Sequence, residues 1–134
     1  MIYLDYAATT PVDVRVREAM HPYFSEAFGN PSSIHRAGQL AEAAVETARE
    51  TVASVLRCLP SEIIFTSCGS ESDNLALRGA ALALREKTGA DRIVTARTEH
   101  HAVSRTAAQL EKYFGFHVDW LEVNENGAVT PSAL

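Results

Sequence analysis

Ile63–Ile64–Phe65–Thr66–Ser67–Cys68–Gly69–Ser70–Glu71–Ser72–Asp73–Asn74 is the stretch on which the reading of this chain turns. The run Ile63 to Thr66 predicts a short strand covered on both faces. Ser67 to Ser70 form a tight small-residue turn, and a helix follows to about Lys87, where Gly89 ends it. The alternation then continues. Ile93 to Ala96 predicts a second strand, and Ala102 to Phe114 a helix with Val103, Ala107 and Leu110 on one side. Gly115 breaks that helix, and Phe116 to Leu121 predicts a third strand. Strands alternating with helices imply two right-handed βαβ units and a mostly parallel sheet. The expected fold class is therefore α/β, as a three-layer α/β/α arrangement.

Upstream, Ile2 to Tyr6 reads as an extended segment running into the small residues Ala7 to Thr10. Pro11 and Asp13 offer a helix start, and Val16, Ala19, Met20, Tyr23, Phe24 and Ala27 recur at helical spacing. Gly29, Asn30 and Pro31 end it. Ser32 or Ser33 is expected to cap a second helix, whose stripe Ala41, Val45, Ala48, Val52, Val55 and Leu56 stops near Pro60. At the other end, a turn at Asn124 to Gly127 precedes Thr130 and Pro131, a favoured N-cap and first helical residue. A chain that stops where a helix would begin, with a three-stranded sheet whose edges are open, is expected to be a piece of a longer polypeptide. The competing reading is a mobile tail.

Bulk properties exclude several classes. The 134 residues suffice for one domain, and 46% hydrophobic with 22% charged residues is a globular balance. A net charge of −5 without a basic run argues against nucleic-acid binding. No apolar run approaches the roughly 20 residues that span a bilayer, and MIYLDYAATTP has neither the basic flank nor the apolar region of a signal peptide. Cys58 and Cys68 form no CxxC pair, which gives no disulfide or zinc framework and fits a reducing, cytoplasmic compartment.

The turn before the central helix is the first candidate site. A helix N-terminus presents unpaired N–H groups and suits a phosphate. Gly69 would let the phosphate approach the backbone, and the Ser70 hydroxyl would add a donor. The same residues admit a second reading, in which Ser70 and Asp73 form a capping box that only starts the helix. GxGxxG and GxxxxGK[ST] are both absent, which disfavours dinucleotide and P-loop sites. The second candidate is Thr98–Glu99–His100–His101 after the second strand. A neutral imidazole there could stack on an aromatic cofactor or shuttle a proton, or it is an exposed loop histidine. A metal site is disfavoured, since adjacent histidines diverge and no third ligand is placed. His35 reads as a surface residue at a helix start, and His21 and His117 carry no signal. Cys68, next to a helix N-terminus, is expected to have a lowered thiol pKa and to fill the turn without an obvious base; Cys58 has no functional signature.

Four blocks in order, YLDYAATTP (Tyr3 to Pro11), FGNPSSIHRAG (Phe28 to Gly38), EIIFTSCGSESDNLALRG (Glu62 to Gly79) and TEHHAV (Thr98 to Val103), resemble the cysteine desulfurases of the NifS/IscS type. These belong to the class V aminotransferase branch of fold-type I pyridoxal-phosphate enzymes. The FGNPSS block and the SESDN helix start favour this group over the SufS-like branch. The resemblance implies that Gly69 and Ser70 contact the phosphate of pyridoxal 5'-phosphate. It implies that His100 stacks on the pyridine ring and assists proton transfer, as a catalytic residue. It also implies that residues 1–12 form an amino-terminal arm lining the substrate entrance and that residues 13–134 begin the large cofactor-binding domain. The implied reaction removes sulfur from L-cysteine, leaving alanine and an enzyme persulfide for iron–sulfur cluster or thio-cofactor assembly. The implied partners are a second subunit, as a homodimer, and a sulfur-acceptor or scaffold protein.

One departure is Cys68, where the family has glycine or another small residue. Its β-carbon and thiol would crowd the phosphate turn if the position required a positive φ. The chemistry also needs a lysine to hold the cofactor as a Schiff base, a carboxylate at the pyridine nitrogen and a loop cysteine nucleophile. In the family these lie beyond the point matching Leu134, and Lys87 and Lys112 lack the expected context, so the 134 residues alone are expected to be inactive. Selenocysteine lyase, another class V relative and a non-catalytic binding or dimerisation module remain the alternatives.

Overall fold

The computed structural model describes residues 2–131. The backbone divides into two compact units, one up to Ile64 and one from Phe65 onward.

In the first unit, helix α1 (Val14–Met20) starts on Asp13, whose carboxylate accepts from the Arg15 amide at 2.8 Å. The expected helix through Ala27 does not form as one piece. Pro22 sits in the first turn of a 3-10 segment, His21–Phe24, and α1 stops before it. Proline fixes its own φ and lacks the amide needed to continue an α-helical ladder, while its place early in a new turn is tolerated. Helix α2 (Arg36–Leu56) is capped by His35, not by Ser32 or Ser33. The His35 Nδ1 accepts from the Gly38 amide at 3.3 Å. Ser32 instead donates its amide to the Asn30 side-chain oxygen at 2.9 Å, in the turn before the helix.

That turn is tight enough to require glycine. A β-carbon on Gly38 would lie 2.1 Å from the Ser33 carbonyl oxygen and 2.8 Å from that of Asn30. Both obstacles are backbone, so no side chain can swing aside. Gly38→Ala is therefore expected to destabilise the native polypeptide by about 2 kcal/mol or more, by overpacking; denaturant unfolding checks it, and a loss under about 0.5 kcal/mol would contradict the stated clash.

The second unit holds helix α3 (Gly69–Thr88), strand β1 (Arg92–Ala96), helix α4 (His101–Phe114) and strand β2 (His117–Leu121). β1 and β2 pair in parallel, with Ile93 opposite Val118 and Thr95 opposite Trp120. That is a βαβ unit of an α/β fold. Both long helices end where expected, on Gly89 and Gly115, with φ of 80° and 69°.

The strand expected at residues 63–66 is not formed, and among the described residues the sheet has two strands. Ile63 has extended dihedrals, but its amide closes the preceding 3-10 turn at the Pro60 carbonyl, 3.1 Å away. An apolar run becomes a strand only by joining a ladder, and Ile64 is left 67% exposed. Two βαβ units thus reduce to one.

The core lies on one face of the sheet. Ile93, Ala107, Leu110 and Phe116 are buried together, with Leu77, Ala81, Val118 and Trp120 packed against them. On the opposite face Val94 is 54% exposed, so this unit supplies the sheet and one helical layer of the three expected. Beyond β2, the expected turn is present: the Asn124 side-chain oxygen accepts from the amides of Asn126 and Ala128, both at 3.0 Å. The helix expected from Pro131 onward falls mostly outside the described residues.

Candidate functional site at two helix N-termini

Three side-chain links fix how α3 lies on α4. Thr106 Oγ1 donates to Asn74 Oδ1 at 2.7 Å, Arg78 donates to Gln109, and Arg85 donates to the Phe114 carbonyl at 2.5 Å. The partners advance together along both helices, so α3 and α4 run parallel. Their N-termini therefore open at the same end, where β1 finishes. This is the edge at which open α/β sheets bind ligands.

At this edge lies an open depression of about 310 Å³. Ser70 and Asn74 line it from α3, and His100, His101, Arg105 and Gln109 from α4 and its cap. Two of the three sequence-derived site residues, Ser70 and His100, thus share one cavity, and Gly69 is the residue next to Ser70. Asn74 ties the walls together, because its amide also donates to the Ser70 carbonyl at 2.8 Å while its oxygen serves Thr106. Thr106 is 3% exposed, so this bond also satisfies a buried hydroxyl.

Helix α3 begins differently from either reading of its sequence. The N-cap is Cys68 and Ser70 is the second helical residue, so Ser70 and Asp73 do not form a capping box. Cys68 has φ −165° and ψ 168°, extended backbone that any residue adopts. The feared crowding therefore does not arise from the backbone. A β-carbon on Gly69 would meet nothing within 4 Å, and its φ is not positive. Neither the fold nor the turn of this chain needs glycine at that position. The Gly69 amide and Ser70 hydroxyl have no hydrogen-bond partner among the described residues. A phosphate of pyridoxal phosphate fits this set: free donors, the positive end of a 20-residue helix, and room where a side chain would stand.

His100 is held in one tautomer. As N-cap of α4, its Nδ1 accepts from the Ala102 amide at 3.1 Å, so a neutral ring carries its proton on Nε2. The His100 and His101 rings stand 6.1 Å apart and tilted by 41°. Of the remaining histidines, His35 caps α2; His117 Nε2 lies 3.9 Å from an Asp91 oxygen.

The Cys68 thiol is exposed and its pKa is lowered from the ordinary thiol value, chiefly because the nearby Glu71 amide favours the thiolate. Ser67 also reaches it at 3.8 Å, yet the one hydroxyl proton is committed to a Glu71 oxygen at 2.6 Å. A lowered thiol pKa keeps the thiolate to lower pH. Its stabilising contribution is full above the ordinary thiol pKa and disappears as pH falls through the lowered value. Cys68 is expected to alkylate with iodoacetamide faster at neutral pH than a cysteine in an unstructured peptide, and equal rates would contradict this.

Sequence reasoning missed Asn74, Arg105 and Gln109. Their spacing was visible: Ser70 and Asn74, and likewise His101, Arg105 and Gln109, stand four apart and so share a helix face.

The aminotransferase class-V family profile matches residues 2–134. The chain is 48% identical over 133 residues to a cysteine desulfurase IscS of Dictyoglomus turgidum, covering 99% of this chain and 33% of that one. To a cysteine desulfurase IscS of Neisseria gonorrhoeae it is 52% identical over 129 residues, covering 96% and 31%. A solved structure described as a NifS-like protein superposes with a TM-score of 0.87 at 41% identity, over 98% of this chain and 35% of the other. The chain thus spans about a third of the length of these relatives.

Proposed function

The chain belongs to the aminotransferase class-V family, and from that premise we propose that its polypeptide is a pyridoxal-phosphate-dependent cysteine desulfurase. It removes sulfur from L-cysteine, leaving alanine and a persulfide on the enzyme. The observation that carries this reading is the depression lined by both Ser70 and His100 at two parallel helix N-termini. Residues 1–12 would serve as an amino-terminal arm, and residues 13–134 as the first part of the large cofactor-binding domain. The full protein would work in the cytoplasm as a homodimer and hand sulfur to an acceptor or scaffold protein for iron–sulfur cluster or thio-cofactor assembly.

Within this reading the Gly69 amide and the Ser70 hydroxyl hold the phosphate. Pyridoxal phosphate, when bound, supplies an electron sink for charge developing on the substrate's α-carbon. His100 offers a flat face for stacking, and its Nε2–H is free to donate a hydrogen bond while Nδ1 stays on the helix cap; carrying a proton would use the Nδ1 lone pair and release that cap. Asn74 keeps the first turn of α3 fixed against α4.

The test is product analysis with the native polypeptide as cells make it, given L-cysteine and a reductant. Alanine and sulfide in equal amounts, lost on cofactor removal and restored by pyridoxal phosphate, are expected. A folded, cofactor-loaded protein that forms no alanine would overturn the reading.

A further inference from the structure

Glu71 is the one acidic side chain in the first turn of α3. A carboxylate there suits the helix dipole but repels a bound phosphate. Its bonds explain the placement. One oxygen, Oε2, accepts from both the Ser67 amide and the Ser67 hydroxyl, each at 2.6 Å. The link closes a ring from one residue before the N-cap to the third helical residue. A parallel brace joins Thr66 Oγ1 and Ser72 Oγ at 2.6 Å, and both hydroxyls also reach the Cys68 carbonyl at 3.3 Å. Between Thr66 and Ser72, every polar side chain except Ser70 is thus bonded back into the turn. What remains facing outward is the Gly69 amide and the Ser70 hydroxyl.

We infer that Glu71 is a positioning residue, whose bonds to both donors of Ser67 hold the turn so that Gly69 and Ser70 present their free donors to a phosphate. The inference rests on reading this turn as the phosphate site of pyridoxal phosphate. A role confined to helix capping predicts something different, because it would not distinguish ligands with and without a phosphate.

The experiment strips the native polypeptide of cofactor and measures dissociation constants for pyridoxal phosphate and for phosphate-free pyridoxal. Glu71→Ala is expected to weaken pyridoxal phosphate about tenfold, the scale of one charged hydrogen-bonded group, and to leave pyridoxal unchanged. Glu71→Gln keeps an acceptor oxygen and removes the charge, so it should stay within about threefold of the parent. Should Glu71→Ala fail to fold, Ser67→Ala removes half of the ring and should show a smaller loss, again confined to the phosphate-bearing ligand. Unchanged binding, or equal weakening of both ligands, overturns the inference while the cofactor reading survives. A parent protein that binds neither ligand overturns the cofactor reading itself.

Discussion

Replacing His100 with alanine is expected to lower turnover of L-cysteine by the native enzyme at least about 100-fold, the usual contribution of a positioned proton carrier. On the proposed reading the ring has two functions, which one substitution removes together. Its Nδ1 caps α4 through the Ala102 amide, and loss of a cap costs about 1 kcal/mol. Its Nε2–H is the group left for chemistry. Asparagine separates the two, since its side-chain oxygen caps a helix well but shuttles no proton. His100→Asn should therefore melt near the parent temperature and turn over as slowly as His100→Ala. If His100→Asn retained parental turnover, the proton-carrier role would be wrong and only the cap would remain.

Leu110→Ala is expected to cost about 3 kcal/mol of stability, within the range for emptying a packed leucine site. Leu110 is the largest fully buried side chain among the described residues and clusters with Ile93, Ala107 and Phe116. Truncation leaves a void against Ile93 of β1 and Phe116 just before β2. Urea unfolding of the native polypeptide measures it. Leu110→Met conserves volume and should cost under about 1.5 kcal/mol. Similar losses for the two variants would mean that packing volume at this site is not what holds the unit together.

The second unit was legible where chemistry is local. Gly89 and Gly115 marked the ends of α3 and α4 because each takes a positive φ that other residues resist. Ile93 and Val118 signalled strands, and a helix of about one dozen residues between them left a parallel crossover as the natural connection. Residues 63–66 looked the same in sequence, but an apolar run does not say which strand will pair with it. Pro22 sat inside a helical period that outweighed it in the reading, although its ring stops an α-helix in practice.

The candidate site was legible as two separate residues more than as one place. Ser70 and His100 were chosen from two separate blocks, and the parallel packing of α3 on α4 brings them to one depression. That meeting depends on Asn74 and Thr106, thirty-odd residues apart in sequence, a distance across which residue spacing carries no signal. The helix start was misplaced by reading Ser70 with Asp73 as the capping pair. The bonds in fact join Glu71 back to Ser67 across Cys68. Histidine is an uncommon cap, which hid the part played by His35 and His100 alike.

The most direct test of the central claim is a crystal structure of the native polypeptide saturated with pyridoxal phosphate. The account predicts the phosphate within hydrogen-bond distance of the Gly69 amide and the Ser70 hydroxyl, with the His100 ring stacked on the pyridine. A phosphate bound away from the start of α3, or a pyridine ring out of reach of His100, would contradict it.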